Sequence, residues 1–287
     1  MAAGNTPDPI GAGNRESNRS DTAFLVVTGV YSGVVLAGFL VVLAVVVESW
    51  PLDSLATYPL GFAGGFVGGA AFARADRHLP TRLGRTLARR LAVVAPALVF
   101  GLLWIVTLEG TAGNIALVSA FLVFAAGYVL SQLAGNRYVD SVAPGDPEET
   151  WRWEPPGSVR LDLALFVLYV ALGAGNAASG NWQGALLWLS LGILWIGSCL
   201  VEGRWAFGPG RDRCEIQIYE TGLVKRRPYT KSFVAWHDVN HTRLRGDELV
   251  LDYGLRDVRF DRDELEDSEA VLEAVDRRLS ETGSRYQ

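Results

Sequence analysis

Six apolar runs dominate this chain: Ala23 to Val47, Ala56 to Ala73, Leu91 to Leu108, Ile115 to Ala134, Leu161 to Ala178 and Gly184 to Val201. A helix rises about 1.5 Å per residue, so about 20 mainly apolar residues cross a hydrocarbon layer roughly 30 Å thick. The first, third, fourth and sixth runs contain no ionised group. The second is rich in glycine, and the fifth carries Asp162 at its start and Asn176 near its end. The fold class this predicts is an α-helical polytopic membrane bundle of six transmembrane helices over residues 23–202. Composition agrees: charged residues make up only 20% of the chain and mean hydropathy is +0.20, both unusual for a soluble domain. Two cysteines, Cys199 and Cys214, do not make a disulfide framework.

The loops give an independent test, because short cytoplasmic loops collect basic residues. The first, third and fifth loops carry only Glu48, Asp53 and Glu109. The second holds Arg77, Arg82, Arg85, Arg89 and Arg90, and the fourth holds Arg137, Arg152 and Arg160. Arg204, Arg211 and Arg213 follow the sixth helix, and Arg15 and Arg19 precede the first. This alternation predicts a multi-pass protein of the cell membrane with both termini cytoplasmic. Trp50, Trp104 and Trp182 fall near the expected outer ends, and Trp151, Trp153 and Trp205 near the inner ones, as interfacial aromatics do. Residues 1–22 offer little to bury and read as a disordered tail.

Gly61, Gly65 and Gly69 repeat at a spacing of four in the second helix, and Gly29, Gly33 and Ala37 offer a matching groove in the first. Small residues at that spacing let helix backbones approach closely in lipid. The stripe predicts packing between these two helices, with a homo-oligomer seam as the alternative. No ionisable residue stands near the centre of any helix; Glu48, Glu109, Asp162 and Glu202 sit at ends, where snorkelling to water is easy. Asn176 is the notable polar position, expected to hydrogen-bond between helices.

After a linker at 203–211 the pattern changes to alternation. Cys214–Tyr219, Leu223–Arg226, Ser232–Val239, His241–Leu244, Glu248–Tyr253 and Asp257–Phe260 read as short strands, with turns at Glu220–Gly222 and Arg245–Asp247. Val271, Leu272, Val275 and Leu279 then form one stripe of a helix from about Leu265 to Leu279, with Asp263 and Glu266 as a capping box. An antiparallel sheet closed by one C-terminal helix, with Gly222 and Leu223 ahead of Phe233, Val234, Ala235, Trp236, His237, Asp238 and Val239, resembles the PH-like domains of prokaryotic membrane proteins. The resemblance covers about residues 211–280 and implies a small α+β PH-like domain at 212–287, following a transmembrane hairpin. It implies that Lys225, Arg226, Arg227 and Lys231, four positive charges in seven residues, contact a protein partner or anionic headgroups. The bland alternative is a solvated, merely positive-inside loop. Trp236 is expected in the core.

His237, Asp238, Val239, Asn240 and His241 have the spacing of a zinc-protease helix with Asp in place of Glu. Two histidines at that spacing share a face only in a helix; in a strand they stand about 13 Å apart, and the flanking residues favour a strand. No phosphate-binding glycine loop and no serine elbow occurs. The sequence therefore predicts a non-enzymatic integral membrane protein with no catalytic residue, metal or cofactor and no nucleic-acid partner. Its cytoplasmic PH-like domain would bind membrane lipids or a protein in a regulatory or scaffolding role. The alternative is a transporter or permease for an uncharged or lipid-like solute, and the remote one a zinc metalloprotease.

Overall fold

The computed structural model describes residues 9–46, 53–107, 110–155, 157–204, 214–239, 241–245, 248–253 and 256–285. The first eight residues, Trp50, Trp205, most of the expected linker and the centre of the Arg245–Asp247 turn lie outside them. Two compact units divide the chain at Ala134 and Gly135.

The first unit contains α1 (Pro9–Val46), α2 (Ser54–Ala75), a short α3 (Leu79–Gly84), α4 (Leu87–Thr107) and most of α5 (Gly110–Val142). Residues 9–22, expected as part of a tail, continue α1 upstream, since adding residues to an existing helix costs far less than nucleating one. The α1 and α2 backbones meet at the glycines. A Cβ on Gly61 would lie 2.8 Å from Ala37 Cα, and one on Gly65 would overlap the Ser32 carbonyl oxygen. One on Gly69 would overlap the Ser32 side chain, whereas Gly64 and Gly68 face open space. Val34, Ala97, Phe100 and Val123 form the adjacent core.

The expected arginine-rich loop contains α3, and several of its charges are engaged locally. Arg82 pairs with Asp76 at 3.1 Å, Arg89 donates to the Arg82 carbonyl at 2.8 Å, and Arg90 donates to the Gly84 carbonyl at 3.0 Å.

Five helical stretches among the described residues are long and apolar enough to cross a membrane: Asp21–Ala44, Leu87–Val106, Gly113–Val142, Val159–Ala178 and Trp182–Val201. α2, with 22 residues, is not among them; glycine replaces larger apolar side chains along much of it.

The second unit begins with the last turns of α5. Strand β1 (Glu149–Arg152) follows, then the hairpin of α6 (Val159–Ala178) and α7 (Trp182–Val201), then β2 (Glu215–Ile218), β3 (Gly222–Arg226) and β4 (Lys231–Ala235). These strands form one antiparallel sheet in the order β1-β2-β3-β4. A second sheet contains β5 (His241–Arg245), β6 (Glu248–Tyr253) and β7 (Arg256–Asp261), and α8 (Ser268–Arg285) ends the chain. Ile216, Ile218, Leu223, Trp236, Leu249, Leu251, Phe260, Val271 and Val275 make one core between sheets and helix. Trp236 is 3% exposed and donates its indole N–H to the Tyr219 carbonyl at 2.9 Å.

The strand expected at Ser232–Val239 ends at Ala235, where the chain turns into a 3-10 turn at Trp236–Asp238, and three further details depart from the sequence expectations. First, the sheet does not start after the hairpin: β1 precedes it and pairs with β2 across it, Trp151 opposite Ile216. Trp153, read as an interfacial anchor, is 3% exposed and packs edge-on against Phe260 at 5.8 Å. Second, α8 starts at Ser268, where the Asp267 carboxylate accepts from the Ala270 amide at 2.9 Å. Glu266, expected in the capping box, instead accepts from the Arg152 amide, and its own amide donates to the Arg152 carbonyl. Third, Asp162 does not snorkel: it is 2% exposed and pairs with Arg204 at 3.2 Å.

Candidate functional site

Antiparallel pairing puts four strand ends at one edge of the first sheet. Arg152 faces Glu215, Glu215 faces Arg226, and Arg226 faces Lys231. The chain leaves this edge from β1 into α6 and returns to it from α7 into β2, so the hairpin is rooted here. The β3–β4 turn, residues 227–230, closes the same edge, with the Arg227 amide donating to the Thr230 carbonyl at 2.8 Å.

The turn packs on the base of the hairpin. Gly203, at φ 74°, lies so close to Pro228 and Cys214 that a Cβ there would approach Pro228 Cδ to 2.9 Å and Cys214 Sγ to 2.8 Å. A left-handed backbone and this crowding both call for glycine. Beside it the hairpin is locked by charge. Arg204 pairs with Asp162 at the start of α6 and with Glu202 at 2.5 Å, and its guanidinium lies 5.6 Å from the centre of the Trp195 ring. Trp195 donates its indole N–H to the Asp162 carbonyl at 3.3 Å.

The four basic residues expected to act together are divided by the strand's alternation. Arg226 points outward, half its side chain exposed, with a long 3.6 Å ion pair to Glu215. Lys231 is fastened to the end of α5: its ammonium donates to Asp140 at 2.5 Å and its amide to Asn136 Oδ1 at 2.7 Å. Asn136 also donates to the Tyr229 carbonyl at 2.8 Å and so holds the turn, leaving the Tyr229 side chain 65% exposed. Lys225 points inward, its Nζ 4.2 Å from the centre of the Phe260 ring and 4.6 Å from that of Trp153. Arg227, two residues on and on the same side, has its guanidinium 5.2 Å from the Trp153 ring. Burial, with the Arg227 charge adding to it and Glu264 opposing, lowers the Lys225 pKa to about 8. Burial likewise pushes the Cys214 thiol up.

The histidine pair takes no helical spacing. Trp236–Asp238 is a single 3-10 turn and His241 opens β5. His237 lies 3.5 Å from Asp238 and His241 lies 3.5 Å from Asp252, on separate elements. No group of three metal-ligating side chains occurs among the described residues. Asn176 spends its side chain in the α6–α7 turn, donating to the Leu172 carbonyl at 2.8 Å and accepting from Asn181, which caps α7.

Tyr229 and Trp153 are the functional candidates sequence reasoning missed. The alternation of Thr150, Trp151, Arg152 and Trp153 is the signal that marks β1, masked by its position next to a membrane helix.

No family model matches this chain, no curated protein matches it, and no solved structure matches it.

Proposed function

We propose that this is a six-span membrane protein with cytoplasmic termini whose PH-like sheet domain is a non-enzymatic docking module for anionic lipid headgroups. The observation that carries the reading is that the basic β3–β4 turn shares one sheet edge with both roots of the apolar hairpin. A hairpin that crosses the membrane holds that edge at headgroup level, where exposed Arg226 and Tyr229 meet lipid phosphates and the half-buried Arg227 and Lys231 add charge. Two antiparallel sheets closed by one C-terminal helix support the PH-like reading. The close seating of α2 on α1 supports α2 as a sixth span, and the arginine-rich loops support the cytoplasmic assignment.

Each basic residue near an anionic leaflet contributes about 1 kcal/mol, so three together are worth roughly a hundredfold in lipid retention. The test is native mass spectrometry of the full-length protein extracted from nanodiscs of mixed phosphatidylcholine and phosphatidylglycerol. The wild type is expected to retain anionic lipid, and a variant with Arg226→Gln, Arg227→Gln and Lys231→Gln to lose most of it. Equal retention overturns the reading. So does a stoichiometric protein, rather than lipid, released by the same substitutions.

A further inference from the structure

Lys225 is in an expensive position. Its ammonium is mostly withdrawn from water, and among the described residues no carboxylate comes within 4.0 Å of it or of the Arg227 guanidinium. The Trp153 and Phe260 rings offset part of the cost, as aromatic faces attract cations. Arg227, drawn to the same Trp153 ring, adds to it. The nearest acid that counts, Glu264, accepts the Trp153 indole N–H at 3.2 Å. Across the strands Lys225 faces Ile216 on β2 and Ser232 on β4, neither charged. Among the described residues, Arg227 from the turn and Glu264 from the 3-10 turn after β7 are therefore the charges that act on it.

A purely structural position would be filled more cheaply by an uncharged side chain, since a desolvated charge without an ionic partner is destabilising. Two cations on one ring, with no ion pair between either and a carboxylate among the described residues, are complementary to an anion carrying more than one charge. A guanidinium supplies a planar fork of donors and an ammonium a compact point charge, a combination suited to a tetrahedral phosphate.

We propose that Lys225 and Arg227, gathered on Trp153 at the hairpin edge of the sheet, bind one phosphate group. This rests on and sharpens the headgroup reading: the ligand chemistry is a terminal phosphate that can carry two charges, supplied as the phosphomonoester of a lipid headgroup or as free inorganic phosphate. Binding and protonation are linked. An anion beside Lys225 favours its charged form, so the site binds tightly below about pH 8 and progressively more weakly above it.

The chain has only two lysines, so the full-length protein labelled with 13C at the lysine ε carbon gives two side-chain NMR signals, assigned with Lys231→Arg. In phosphatidylcholine nanodiscs with chloride the Lys225 signal is expected to titrate near pH 8. Inorganic phosphate at matched ionic strength is expected to raise that midpoint by about one unit, equivalent to tenfold tighter binding to the protonated form. Arg227→Gln is expected to abolish the response, and Arg259→Gln, on the exposed face of β7, to preserve it. A shift with phosphate in neutral discs means that free phosphate suffices, whereas a shift only in discs containing a phosphomonoester lipid identifies the headgroup as the source. A midpoint unchanged by either, or moved equally by chloride, overturns the proposal. The two readings fail separately. Loss of lipid retention in the triple variant with an unresponsive Lys225 removes this site and leaves headgroup docking. A responsive Lys225 with unaltered lipid retention does the reverse.

Discussion

Lys225 and Asp162 are both buried charges, but their surroundings give them opposite energetics. Lys225 has rings and a like charge around it, so the fold favours its neutral form. The unfolded chain then binds more protons between about pH 8 and the ordinary lysine value of 10.5, and stability rises with pH across that window. Below it the penalty is fully present, at about 3 kcal/mol. Lys225→Met is accordingly expected to slow hydrogen exchange of the β3 amides at pH 7, with an advantage that fades as pH rises through the window; an advantage independent of pH would refute the assignment. Asp162 instead has Arg204 as its partner in a nearly dry setting. Removing one partner of such a pair costs about 3–5 kcal/mol, whereas replacing both by apolar residues is often close to neutral. Arg204→Ala is expected to lower thermal stability in detergent markedly, and the double change Asp162→Leu with Arg204→Leu to recover most of it. Equal stability of the single variant and the wild type would show that the pair does not hold the hairpin.

Elements meet here through small residues in the membrane part and through strand registry outside it. Along α2 the glycines divide into two stripes with different consequences. Alanine normally favours a helix by about 1 kcal/mol over glycine, and Gly64→Ala and Gly68→Ala, facing open space, are expected to be neutral or stabilising. Gly65→Ala puts a methyl group against the Ser32 carbonyl, and overpacking of this kind costs about 1–3 kcal/mol. Thermal unfolding of the three variants in one detergent compares them directly, and a Gly65→Ala protein as stable as Gly64→Ala would show that α1 and α2 have room to move apart. At the sheet, β1 is covered on its outer side by the chain leading to α8: Trp153 bridges to Leu265, the Glu154 amide donates to the Glu264 carbonyl, and Arg277 and Arg278 pair with Glu149 and Glu148. An edge that would otherwise invite pairing with another chain is thereby closed.

The whole sheet domain is a discontinuous structure with a membrane-length hairpin inserted between its first two strands. A fragment beginning at residue 211 lacks β1 and Trp153, leaving β2 as an open edge and the Phe260 side of the core uncovered. The two ends of the hairpin lie together, since a Cβ on Gly157 would touch the Arg204 side chain at 2.7 Å. A short glycine-serine loop in place of the hairpin is therefore expected to give a soluble domain of residues 135–157 joined to 203–287, with dispersed amide NMR signals. The fragment starting at residue 211 is expected to aggregate. Comparable spectra from both would show that β1 is dispensable.

The sequence by itself determined five apolar spans and, among the described residues, six of the seven strands, because hydrocarbon thickness and side-chain alternation are conditions that each segment meets alone. The α1–α2 glycine stripes were legible for the same reason: their periodicity is a property of single helices. Tertiary structure decided the rest. The membership of β1 depends on pairing with β2 beyond an intervening hairpin, and no local pattern records that closure. Asp162 was legible as the end of a helix but not as half of a buried pair, since Arg204 reaches it only once the hairpin folds back. The basic run from Lys225 to Lys231 reads as one charge cluster along the chain. The fold sends Lys225 inward and Arg226 outward and ties Lys231 to α5, because successive strand residues face opposite sides and each side meets a different neighbour.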